Sequence, residues 1–163
     1  MNEAEIYEIL RASPYPNIAQ YLGYIVESDR ITGLCFVKYN MNLLERVMKD
    51  SRSFDIELFL QGIQNGIRHL HSFSLICCDL NPTNILIDGD TPVIGEFDSC
   101  RRKGEELGFK AGTEGWTSED FKFAMPENDE YGFPKIRDFC FKFARCKLSN
   151  EISISTGEDL KNY

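Results

Sequence analysis

Residues 77–98 read C-C-D-L-N-P-T-N-I-L-I-D-G-D-T-P-V-I-G-E-F-D, and this stretch decides the fold. Asp79 and Asn84 share one short loop that contains Pro82. Two apolar runs follow, residues 85–87 and 92–95, separated by an Asp88-Gly89 turn, which is the pattern of a β-hairpin. Glu96 stands where the hairpin ends. A loop carrying an aspartate and an asparagine, closed from behind by a second carboxylate, gathers hard oxygen donors at one place. Asp and Asn also serve as plain turn residues, so the flanking order has to carry the argument.

That order is readable over most of the chain. Glu3 to Arg11 is predicted helical with Ile6 and Leu10 on one face, and Pro14 and Pro16 stop it. Residues 18–26 and 31–39 read as strands around an Asp29-containing turn, and residues 42–49 as a short helix. Ser53 is the expected N-cap of a long helix over residues 55–72, where Ile56, Phe59, Leu60, Ile63, Ile67 and Leu70 recur at three- and four-residue steps. Residues 96–129 lack sustained periodicity and are too long for an ordinary connection, which marks them as functional or mobile. A last helix is expected over residues 133–147, with Ile136, Phe139, Cys140 and Phe143 inward.

Composition narrows the classes. A chain of 163 residues with 42% hydrophobic content reads as one folded domain. The net charge of −8 argues against nucleic-acid or anionic-membrane binding. No apolar run is long enough to span a bilayer, and the acidic start (Glu3, Glu5) lacks a signal peptide's basic region, so an intracellular location is expected. The six cysteines form no C-x-x-C pair and have no histidine at zinc spacing, so free thiols are expected. His69 and His71 are expected to pack or cap.

With these elements in place, the chain resembles the eukaryotic protein kinase domain, in particular divergent fungal serine/threonine kinases, over residues 3–146. S-P-Y-P-N-I-A-Q-Y-L-G-Y (residues 13–24) is similar to the passage from the regulatory helix into the fourth strand, and C-F-V-K-Y-N (residues 35–40) to the fifth strand and hinge. G-I-R-H-L-H (residues 66–71) is similar to the end of the helix entering the catalytic loop, and A-G-T-E-G-W (residues 111–116) to the segment that contacts substrate. D-E-Y-G (residues 129–132) loosely resembles the start of the next large helix. The resemblance implies Asp79 as the catalytic aspartate, Asn84 and Glu96 as magnesium ligands, and hinge residues Lys38, Tyr39 and Asn40 at the ATP adenine. It implies Thr113 as the threonine that contacts the catalytic aspartate.

Departures from the pattern matter as much. No Gly-rich phosphate loop and no strand lysine occur in the sequence, so Glu3 or Glu5, the candidates for the helix glutamate, have no lysine partner of that kind. Cys77 and Cys78 stand for the usual His and Arg before the aspartate, Asn81 for a lysine, Glu96 for an aspartate and Asp98 for a glycine. The extra methylene of Glu96 moves its carboxylate by roughly 1.5 Å, about one carbon–carbon bond. The stretch Ser118-Glu119-Asp120 lacks the proline of the A-P-E motif.

The resulting expectation is an α+β, protein kinase-like fold. Residues 1–147 form a partial kinase-like domain, with a remnant N-lobe and hinge (1–40, one helix and two strands) and a mostly helical C-lobe (41–147), and residues 148–163 form a flexible tail. The ancestral reaction is ATP-dependent transfer to Ser or Thr hydroxyls, absent or very weak in this chain. Two alternatives stand beside it: a pseudokinase acting as an interaction module, and a small-molecule phosphotransferase like the aminoglycoside and choline kinases, whose loop also reads D-L-x-x-x-N. A protein partner covering the remnant N-lobe is expected, with neither nucleic acid nor membrane as a partner.

Overall fold

The computed structural model describes residues 3–50, 52–108 and 112–158, the last fourteen as backbone. Helix α1 (Glu3–Arg11) packs against a hairpin of β1 (Tyr21–Glu27) and β2 (Arg30–Phe36). The two-residue connection has positive φ at both Ser28 and Asp29, the twist that suits a tight hairpin. The short helix α2 (Leu43–Lys49) follows, closed at its start by a reciprocal capping box between Asn42 and Glu45. Arg46 of α2 is buried, forms ion pairs with Asp50 and Asp90, and lies over the Phe54 ring.

The long helix α3 (Ile56–Ser72) is the spine of the larger part. Its inward residues Phe59, Leu60, Ile63 and Leu70 are all among the apolar positions read from periodicity. The N-cap is Asp55 rather than Ser53: the Asp55 carboxylate accepts from Leu58 N–H at 3.0 Å. Two short strand pairs build the rest of the sheet structure. β4 (Ile85–Asp88) pairs antiparallel with β5 (Thr91–Ile94), and β3 (Leu75–Ile76) pairs antiparallel with β6 (Arg101–Arg102). The first strand is shorter than expected, because Ile18 makes only an isolated bridge to Ile94.

The last helix, α4 (Pro126–Glu158), starts seven residues before the expected position and contains Pro134. Pro126 at its first position costs nothing, since that N–H has no helical partner anyway. Ile136 and Cys140 are buried, with Phe139 and Phe143 packed on the same core. The helix continues past residue 147 into the segment expected to be tail, and residues 159–163 lie outside the described residues.

Two glycines of α3 set how closely the β4–β5 hairpin approaches. A Cβ at Gly66 would lie 2.8 Å from Ile94 Cδ1 and 2.9 Å from Asn17 O. That oxygen already accepts from Ile94 N–H at 2.9 Å. Gly66→Ala must therefore move backbone, not only a side-chain tip. Overpacking of this kind costs about 1–3 kcal/mol, against a helix-propensity gain of up to about 1 kcal/mol. A lowered thermal midpoint is the expected result, and an unchanged or raised one would show that the hairpin can slide.

Candidate active site

The loop between β3 and β4 is pinned from below before it offers anything to a ligand. Asp129 is almost fully buried near the start of α4. Its carboxylate accepts from Cys77 N–H (3.1 Å), Cys78 N–H (2.9 Å) and His71 Nε2 (2.8 Å). Cys78 takes a left-handed φ of 64°, which turns the chain so that both amides converge on this one acid. The sequence reading left Asp129 with no role beyond marking a helix start.

Above that anchor, Asp79 is buried, and each of its carboxylate oxygens is tied down. Thr113 N–H donates to Oδ1 at 2.9 Å, while Thr113 Oγ1–H (3.0 Å) and Asn84 Nδ2 (3.1 Å) donate to Oδ2. Asn84 Nδ2 also reaches the Asp79 carbonyl at 3.0 Å. This fixes the Asn84 amide, whose Oδ1 lies 3.3 Å from Thr83 Oγ1. Gly112 lets the segment approach: its φ is 82°, and a Cβ there would meet Thr117 Cγ2 and sit 3.0 Å from Cys78 O.

Asn81 has become an internal staple. It is buried, its Oδ1 accepts from Thr83 N–H (2.9 Å), Thr83 Oγ1–H (2.6 Å) and Asn84 N–H (3.3 Å), and its Nδ2 donates to Thr113 Oγ1 (3.2 Å). A lysine at this position would put a cation on the loop; the asparagine puts none there.

The hairpin brings Glu96 to the rim. Gly95 N–H donates to Asn84 O at 3.0 Å, so the chain leaves the hairpin beside the loop asparagine. Glu96 and Asp98 are exposed, and Phe97 between them is fully buried. Of the two glutamates considered on α1, Glu3 is the one that faces this site. Burial, then the Glu96 and Asp98 carboxylates, hold its pKa above the usual carboxylate range, against a backbone hydrogen bond from Phe97. Burial and the Glu3 and Glu96 charges likewise push the Tyr7 hydroxyl up.

Lys38, Tyr39 and Asn40 stand apart from this cluster. Lys38 and Asn40 are exposed, and Tyr39 is half-buried with its hydroxyl accepting from Gln20 N–H at 3.1 Å. A cavity of about 690 Å³ opens beside Tyr39, lined in part by Leu10, Tyr15, Tyr21, Tyr39 and Val93. Tyr39 is the one site residue it touches. Among the described residues, no group of three or more His, Cys, Asp or Glu side chains is arranged to hold a metal ion, and no helix is long and apolar enough to cross a membrane.

This architecture matches solved kinases. A chain in the crystal structure of the yeast RNA Pol II CTD kinase CTDK-1 complex superposes with a TM-score of 0.71 at 18% identity, covering 88% of this chain and 51% of that one. At that identity the likeness is one of fold. A putative serine/threonine-protein kinase (L673) of Acanthamoeba polyphaga mimivirus is 31% identical over 100 residues, covering 60% of this chain. The serine/threonine-protein kinase/endoribonuclease IRE1 of Hypocrea jecorina is 33% identical over 130 residues, covering 67% of this chain. This chain is a protein kinase-like domain. It spans 18% and 10%, respectively, of those two relatives' lengths. No family model matches it. Within the kinase-like domain, Asp79, Asn84 and Thr113 come together, Glu96 adjoins them through the hairpin, and Lys38, Tyr39 and Asn40 lie apart from them.

Proposed function

We propose that this domain derives from an ATP-dependent serine/threonine phosphotransferase, and that the 163-residue chain by itself transfers phosphate very weakly or not at all. The observation that carries the reading is the double hydrogen bond of Thr113 to the Asp79 carboxylate, with Asn84 locked on the same group. In that arrangement Asp79 retains lone pairs to orient a hydroxyl and accept its proton. Thr113 on a protein-substrate segment supports a protein kinase ancestry over a small-molecule phosphotransferase.

Asn84 Oδ1 and the Glu96 carboxylate are oxygen donors of the kind that magnesium takes, and they fit such an ion as two of its ligands. When bound, that ion would neutralise charge on the transferring group. The fit to a triphosphate is poor. Asp79, Glu96, Asp98 and Glu3 surround the cleft with negative charge, while Asn81 and Cys78 stand where cations are usual. Four like-signed groups raise the cost of bringing in a polyanion, and nothing in the loop offsets it. The expected result in calorimetry is Mg-ATP affinity weaker than about 100 μM, which corresponds to roughly −5 to −6 kcal/mol. Tighter binding, together with phosphotransfer that Asp79→Asn abolishes, would overturn the proposal.

A second reading, an interaction module, has its own support in the β1–β2 hairpin. Leu22, Tyr24, Ile25, Val26 and Ile31 are each about half exposed, between 48% and 54%. Apolar side chains on both faces of a two-stranded ribbon are an unusual surface for a free monomer, and such a ribbon is marginal alone. We expect light scattering at high concentration to show association, which serine replacement of Tyr24 and Ile31 relieves. A monodisperse monomer at all concentrations would count against a covering partner.

A further inference from the structure

We propose that Cys77 and Cys100 form a redox-closable pair, whose disulfide would stitch the base of the catalytic loop to the segment that follows Glu96 and Phe97. The argument starts from register. Leu75 pairs with Arg102 and Ile76 with Arg101, where the paired strands end; the same antiparallel phase carried one residue further brings Cys77 opposite Cys100, whose N–H closes a turn on Phe97 O at 3.1 Å. One position before the strands, Lys103 N–H donates to Ser74 O at 2.8 Å. Hydrogen-bonded and non-hydrogen-bonded pairs alternate along such a ladder. Positions 77 and 100 therefore fall at a non-hydrogen-bonded site, where opposed Cα atoms are about 4.5 Å apart and side chains are closest. That separation lies within the range that disulfides bridge.

Burial and chemistry agree with the register. Both cysteines are fully buried, and both belong to the main apolar core. Burial, the Asp129 carboxylate and the Cys100 thiol push the Cys77 thiol up, and burial and the Cys78 thiol push the Cys100 thiol up, so the three sulfurs share one field and the backbone decides between them. Cys78 is a poorer partner. Its left-handed φ takes it off the strand, its thiol donates to Ile76 O at 3.4 Å, and it packs with Ile76 and Ala124 in a separate small cluster.

The step is a two-electron oxidation by a peroxide. One thiol, as its thiolate, attacks a peroxide oxygen and becomes a sulfenic acid, releasing water. The second sulfur displaces the hydroxyl, giving the disulfide and a second water. Because both thiols are buried and weakly acidic, the reaction waits on local opening and is slow in the native chain.

The test is to expose the full chain to hydrogen peroxide under native conditions, block remaining thiols with N-ethylmaleimide in acid, and map peptides without reduction. The expected product has lost two hydrogens and carries one cross-link between the peptides holding residues 77 and 100. The link persists in Cys78→Ser and disappears in Cys100→Ser. Should Cys100→Ser fail to fold, fragmentation of the wild-type cross-linked peptide between residues 77 and 78 identifies the bonded sulfur directly. A link through Cys78 or any other cysteine, or oxidation that yields only sulfinic and sulfonic acids, would overturn the proposal.

Discussion

Asp129→Ala is expected to cost this domain about 4 kcal/mol or more, because two buried amides lose the carboxylate that accepts from them and each such loss costs about 1–3 kcal/mol. The His71 ring loses the same partner at 2.8 Å, which adds to the total. Against an overall stability of about 5–15 kcal/mol for a typical domain, the variant should be largely unfolded in mild denaturant. Asp129→Asn keeps one acceptor oxygen and should recover about half the loss. Urea titration followed by the fluorescence of Trp116, the single tryptophan, measures both. An alanine variant within about 1 kcal/mol of the parent would mean that the loop is held by something else, since core-network losses are normally larger.

Phe97→Ala should be nearly as damaging, for a different reason. Its ring is fully buried, 5.1 Å from the ring of Tyr7, which itself lies 4.6 Å from Phe36 and 5.4 Å from Tyr21. Removing the ring leaves a cavity where α1, the β1–β2 hairpin and the end of the β4–β5 hairpin meet. Large-to-small changes of this type cost about 3–5 kcal/mol. Phe97→Leu, which keeps most of the volume, should cost less than half of that. Near-ultraviolet circular dichroism of the tyrosines, recorded through a thermal melt, distinguishes the two variants. A loss below about 1 kcal/mol for the alanine would show that α1 is not seated over the site.

What the sequence made legible follows from where its constraints are written. The inward stripe of α3 and the loop-and-hairpin around Asp79 are local patterns, so periodicity and turn chemistry were enough for them. Thr113 came from a motif 34 positions away in the chain and does reach Asp79. Asp129 was missed because its partners are backbone amides, which leave no side-chain pattern at residues 77 and 78. The start of α4 was placed seven residues late because the stretch before residue 133 carries no sustained apolar periodicity, whereas the buried positions Ile136 and Cys140 that reveal the helix lie further on. Glu3 and Glu5 looked equivalent, but applying the phase of Tyr7 and Leu10 to the acidic residues would have singled out Glu3. The lysine-to-asparagine change at Asn81 was legible as a lost charge; its role as a hydrogen-bond hub was not, since that depends on Thr83 and Thr113 arriving in three dimensions.

The anchoring of residues 77 and 78 by one acid of α4 has a kinetic corollary. Those two amides can release their protons to solvent only when the first turns of α4 lift away, so loop and helix form a single opening unit although some fifty residues separate them. Their deuterium uptake should then keep pace with the amides of the first turns of α4, and lag far behind that of the β1–β2 tip.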